Sequence, residues 1–219
     1  PEDDLRSTNP ASNPPLLDYL AEELVANDFD TRALARTILL SGVFQTSSKA
    51  NASNFFDMQN FSHYPVRRIQ AEVLLDAISQ VTMVPEHFPG HPLGTRAIEL
   101  WDNKLPSYFL DVFGRSERKS PCECGSSGEP TMTQALHLLN APEIEAKIQH
   151  KNGRIARIVA SGIGHDALVS ELTRATLSRP PTAAEKAVAK KLFSEEPAEL
   201  AAQDFLWTLL NSYDFLFIK

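Results

Sequence analysis

The sequence predicts a mainly α-helical fold, an irregular bundle of antiparallel helix pairs. Three features carry this reading. Apolar residues recur at three- and four-residue spacing along most of the chain. Capping residues stand at the heads of those stripes, and the first two stripes are only a few residues apart. One stretch, at about 85–130, breaks the pattern with prolines and glycines and reads as a loop-rich insert. The chain is read as a single helical domain over residues 1–219, with that insert inside it.

The first helix follows Asn13-Pro14-Pro15. Asn13 is placed to cap free N–H groups, and proline at the first helical position loses no hydrogen bond. Leu16, Leu17, Leu20, Leu24 and Val25 form its stripe, with Glu22 and Glu23 off it. Asp30 caps a second helix whose apolar face is Leu34, Ile38 and Leu39, with Gly42 at its end; the short connection predicts a hairpin. Residues 45–64, rich in Gln, Ser, Asn and aromatics, read as a loop. A third helix is expected from about Val66 to Val81, carrying Ile69, Val73, Leu74, Ala77, Ile78 and Val81. In the insert, Thr95–Trp101 and Tyr108–Phe113 read as brief strands or extended segments. Thr131 and Gln134 have capping-box spacing, as do Thr182 and Glu185. Helical patterns then cover about Thr131–Asn140, Pro142–Gln149, Arg154–Ala160, Asp166–Leu177, Pro181–Phe193 and Pro197–Ser212. The aromatic tail, Tyr213-Asp214-Phe215-Leu216-Phe217, is expected to dock, because leaving it free would expose a sticky patch.

Composition narrows the function classes. A formal charge of −7 and a 42% apolar content describe an ordinary folded chain and argue against a phosphate-tracking surface. The basic residues Arg96, Lys104, Arg115, Arg118 and Lys119 are offset by Glu86, Glu99, Asp102, Asp111 and Glu117 in the same region. Nucleic acid is therefore not an expected partner. No apolar run reaches the roughly 20 residues that span a bilayer. The polar, turn-rich opening (Pro1 to Asn13) implies that any targeting segment lay upstream or was removed.

Two places bear candidate chemistry. On the expected third helix, Arg68, Glu72 and Asp76 fall at i, i+4 and i+8, sharing one face. Two carboxylates one turn apart beside a guanidinium can have their pKa values pushed apart, which acid–base catalysis requires. The competing reading is a structural ion pair or a solvated face. Arg115 is a further candidate electrostatic partner. The second place is Cys122-Glu123-Cys124 in the insert. These thiols are read as structural or unpaired, as a strained disulfide, or as two ligands of a soft metal that needs others to complete a tetrahedron. His87 and His91 are the nearest imidazoles, with Pro89 and Gly90 ruling out a same-face helical pair. His137 and His165 read as a helix-surface and a helix-start histidine. No phosphate loop, dinucleotide fingerprint or haem-attachment motif occurs, so no organic cofactor is expected, and Ser161-Gly162-Ile163-Gly164 is not a nucleophile elbow.

Several segments together resemble a known family. They are Asp3-Asp4-Leu5-Arg6 through Asn9-Pro10-Ala11-Ser12-Asn13-Pro14, Arg67-Arg68 with Ala71-Glu72, and Tyr108-Phe109-Leu110 through Phe113-Gly114-Arg115. Cys122-Glu123-Cys124, Gln134-Ala135-Leu136, Leu138-Leu139-Asn140, Ser178-Arg179-Pro180-Pro181 and the stretch from Trp207 to Phe217 continue the series. In this order they resemble domain of unknown function 1553, a C-terminal domain of large secreted planctomycete proteins that also carry cytochrome-c-like domains. The family pattern begins earlier, with an Asn-Arg-Val-Trp-like helix, and carries Glu-Arg where this chain has Gly125-Ser126. The resemblance implies a fragment of a longer polypeptide, located in the periplasm, cell envelope or outside the cell. It also implies neighbouring domains of that polypeptide as partners, and it supplies no catalytic residues. The leading expectation is a structural or domain-interaction role. The alternatives are a polysaccharide hydrolase using the carboxylate pair, and a metal or redox site at the Cys-x-Cys.

Overall fold

The structure, a computed structural model, describes residues 7–57, 60–101, 104–115, 133–134 and 140–218. It is mainly helical, with ten helices among the described residues. Two compact units are resolved, residues 1–67 and residues 68–218.

The first unit holds α1 (Pro14–Ala26) and α2 (Thr31–Leu40), which pack on each other. Asn13 accepts from the Leu16 N–H at 3.2 Å, and Asp30 accepts from those of Arg32 and Ala33 at 2.8 and 3.2 Å, so both expected caps are present. α1 ends in a paired reverse turn: Phe29 N–H donates to Leu24 O and Asp28 N–H to Val25 O. That turn places Asp28 (φ 51°) and Phe29 (φ 61°) in the left-handed region, which a bulky aromatic rarely enters. α2 stops at Leu40, with Ser41 as its cap. Residues 45–64 form no helix or strand where described, as expected. Asparagine and aspartate side chains order this loop instead. Asn51 Oδ1 accepts from Ser53 and Asn54 N–H, and Asp57 accepts from Asn60 and Ser62 N–H.

β1 (Arg67–Arg68) pairs with β2 (Phe217–Ile218) in a two-stranded sheet, and within the second unit the Ile69 N–H reaches Leu216 O at 3.1 Å. This corrects the expected third helix. α3 runs over Ala71–Thr82, not from Val66, because residues 67–69 take extended backbone to pair with the tail. Arg68 therefore does not share a helix face with Glu72 and Asp76. The tail is docked, with Phe215 buried. The described part of the insert is also corrected. Ala97–Glu99 is a 3₁₀ turn, and Tyr108–Val112 is a helix, α4, capped by Ser107. Five residues are too few to show a stripe in sequence. The later helices are α5 (Pro142–Ile148), α6 (Arg154–Ala160), α7 (His165–Leu177), α8 (Ala183–Glu195), α9 (Ala198–Leu210) and α10 (Tyr213–Leu216). The Thr182–Glu185 capping box is present. Thr131 of the other expected box lies outside the described residues, as does His137; His165 opens α7 as expected.

The core belongs to two hubs. α3 buries Ala71, Leu74, Leu75, Ile78, Val81 and Thr82, one wide face that meets α4, α5, α6 and α7. α9 buries Ala201, Ala202, Phe205, Leu206, Leu209 and Leu210 against α5, α6, α7 and α8. Small alanines at its start let neighbours approach, and the larger residues that follow each bring about 1.5–3 kcal/mol of burial.

The C-terminal end of α3 is where the second unit is tied together. Met83 takes the left-handed cap position (φ 59°). Arg154 Nε donates to Val81 O at 2.5 Å and its Nη2 to Gln80 O at 3.3 Å. Lys147, only 7% exposed, donates to Val84 O at 2.9 Å and Ser79 Oγ at 3.3 Å, with Glu86 as its counter-ion at 3.2 Å. Arg154 thus meets carbonyls of the last helical turn, and Lys147 one just beyond the helix end. Gly153 lets the chain come this close. A Cβ there would stand 2.9 Å from His150 O and 3.2 Å from Thr82 O. Gly153→Ala is expected to lower unfolding free energy by about 1–3 kcal/mol in urea titrations, the cost of forcing atoms into a filled site. Gly42→Ala, with nothing within 4 Å of the added carbon, is expected to stay within about 0.5 kcal/mol of the parent.

Candidate functional site

Each residue of the expected quartet is engaged by backbone or half-buried. Asp76 projects from α3 and accepts from the Ala97 and Ile98 N–H groups at 2.6 and 3.2 Å, with Arg96 Nε at 3.5 Å. Its side chain is 11% exposed. It caps the 3₁₀ turn across 21 residues of chain, replacing the missing partners of that turn's first amides. Arg68 donates from Nη2 to Phe113 O at 2.9 Å, and its guanidinium lies 5.8 Å from the Phe113 ring centre. Burial lowers its pKa from the ordinary arginine value. Phe113 in turn stacks on Phe109 at 4.4 Å. Arg68 and Gln134, which donates to Val112 O at 3.0 Å, together satisfy the end of α4. Arg115 bonds Leu105 O at 2.6 Å and pairs with Asp111 at 2.8 Å. It follows Gly114 (φ 73°), where α4 closes through Arg115 N–H to Leu110 O and Gly114 N–H to Asp111 O. Glu72 is half-buried in the first turn of α3.

The structure brings Asp76 to the 3₁₀ turn and Arg68 to α4, while Arg115 is held by the loop before α4. A carboxylate with two amides and a guanidinium already on it has its lone pairs committed to the scaffold. Cys122 and Cys124 lie outside the described residues. Among the described residues, no group of three or more His, Cys, Asp or Glu is arranged to hold a metal. A stoichiometric soft metal found by elemental analysis, with both thiols blocked to titration, is the outcome that supports the Cys-x-Cys site; two free thiols without metal end it.

A second polar node had no explanation in sequence. Arg179 grips Glu185 through both nitrogens at 2.9 and 2.7 Å, and Asp214 at 2.6 Å. Its pKa is raised by these carboxylates, Glu185 foremost. The Arg179 hydrogen bond, helped by those from Thr182, pulls the Glu185 carboxyl down to about 2. Glu185 so serves both the α8 capping box and the link from the Ser178–Pro181 turn to the tail. Because the folded-state value lies below the ordinary 4.5, this stabilisation is fully present above pH 4.5 and is lost as pH falls toward 2. Glu185→Gln is expected to cost about 1 kcal/mol at pH 7 and to flatten the fall in stability between pH 4.5 and 2. Urea unfolding at several pH values measures both.

Concavities among the described residues offer other candidates. In the second unit, a groove of about 1280 Å³ between α7 and α8 is lined by His165, Asp166, Arg174, Lys186 and Lys190, with His165 stacked on Phe193 at 4.4 Å. In the first unit, a cavity of about 350 Å³ lies between α1, α2 and the chain entering β1, walled mainly by apolar and aromatic side chains. No described residue from 7 to 70 is buried. Phe29, Leu40 and Val25 are 67%, 63% and 60% exposed.

Among the described residues, no helix is long and apolar enough to cross a membrane. No curated protein and no solved structure matches the chain. A family model does, over residues 1–193. With most of the sequence covered, the chain belongs to the PSD1 proteins of unknown function, DUF1553.

Proposed function

We propose that this chain is an interaction module that docks onto neighbouring domains of a longer, exported bacterial polypeptide. The observation that carries the reading is the contrast between its two units. The second unit holds every fully buried residue among those described, whereas the first has none and keeps large apolar side chains in solvent. Apolar surface of this kind is stabilised by contact, and docking faces need apolar area more than converging polar groups. Phe29 sharpens the case. It is a large aromatic held at φ 61° with its side chain 67% exposed, a conformation that costs about 1–3 kcal/mol. Strain spent to present a side chain outward suits an anchor. The polar candidates point the same way, since Arg68, Asp76 and Arg115 are bound to backbone carbonyls and amides.

Phe29→Asn tests this because the two roles predict opposite signs. Asparagine tolerates the left-handed region, so the isolated chain is expected to hold or gain up to about 1 kcal/mol. Docking, read by hydrogen exchange of residues 14–44 in the full polypeptide against the isolated chain, is expected to protect these amides at least tenfold. The variant is expected to lose that protection. Equal exchange in both contexts, with no change in oligomeric state, overturns the proposal; protection that rises with the concentration of the isolated chain assigns the face to a second copy instead.

A further inference from the structure

We infer that the cavity of the first unit is a binding site for a small amphipathic carboxylate, an apolar body carrying one anionic head. At about 350 Å³ it falls in the range of ligand pockets, with room for roughly a dozen water-sized groups at ~30 Å³ each. Its walls come from Tyr19 on α1, Ile38 on α2, and Phe44 and Tyr64, whose rings meet edge to face at 6.0 Å. The lining contains a cation, Arg67, and an imidazole, His63, but no carboxylate. Its charge therefore favours an anion. A carboxylate head placed against the Arg67 guanidinium makes a charge-assisted contact, while an alkyl or aryl body covers the aromatic walls.

This inference goes beyond the docking reading; the two share residues 14–44, but the site is read by binding to the isolated chain and by Arg67, so each can fail while the other stands. Decanoate and decan-1-ol are the probes, titrated calorimetrically into the whole chain below their aggregation limits. Decanoate is expected to bind at one site per chain and decanol more weakly. Arg67→Gln is expected to weaken decanoate about five- to tenfold while leaving decanol unchanged, and Ile38→Asp to abolish both. Should Ile38→Asp fail to fold by circular dichroism, the proton spectrum of the parent chain serves in its place, because decanoate is expected to shift the ring signals of Tyr19, Tyr64 and His63. Absence of saturable binding, equal decanoate affinity with and without Arg67, or saturation that leaves those three rings unmoved overturns the site.

Discussion

Hydrogen bonding at the end of one helix holds much of the second unit in register. The last turn of α3 presents the carbonyls of Gln80, which accepts the capping Met83 N–H at 3.3 Å, and Val81. Arg154 reaches two of these carbonyls from α6, and Lys147 reaches the chain just beyond from α5. Each cation brings its own desolvation cost, offset by Glu86 for Lys147 and by Glu171, 3.6 Å away, for Arg154. The absence of a side chain at Gly153 makes the approach geometrically possible. Once α5 and α6 are fixed on α3, the apolar faces they share with α9 are aligned to close.

The same economy recurs through the unit. Arg68 finishes α4, Asp76 starts the 3₁₀ turn, and Glu185 starts α8 while holding Arg179, which reaches the tail. Short helices make this necessary. A helix of five to seven residues has more unsatisfied terminal groups than internal bonds, so side chains from elsewhere supply the balance. Polar residues that resemble chemistry in sequence are thereby drawn into architecture. A buried polar network of this kind tolerates little loss, since each deleted partner leaves a group without water to replace it.

The first unit obeys a different balance. Local caps and a side-chain-ordered loop define its backbone, yet among its described residues no side chain is buried. Ordering a residue costs about 1–2 kcal/mol of backbone entropy, and half-exposed apolar groups recover only part of it. Contact with another surface, or a ligand filling the cavity beside His63, adds stability where this unit is poorest.

The sequence by itself determined what depends on neighbours along the chain. The caps at Asn13, Asp30 and Thr182, the stripes of α3 and α9, the helical class and the membership of the PSD1 family are local patterns, readable because each is set within a few residues. The docked tail was also legible, since its aromatics have no other favourable place. Tertiary structure decided the rest. Arg68 reads as helical until the tail offers its backbone, and a strand pairing with Phe217–Ile218 then outweighs the propensity of a few residues. Lys147 and Arg154 carry no sequence signal, because their partners lie 63 and 73 residues away. Asp76 looks like half of a catalytic pair until a turn 21 residues on places its amides against it. Spacing along a chain fixes which groups can share a face, whereas the partner each finds depends on long-range contacts that form only when the chain has folded.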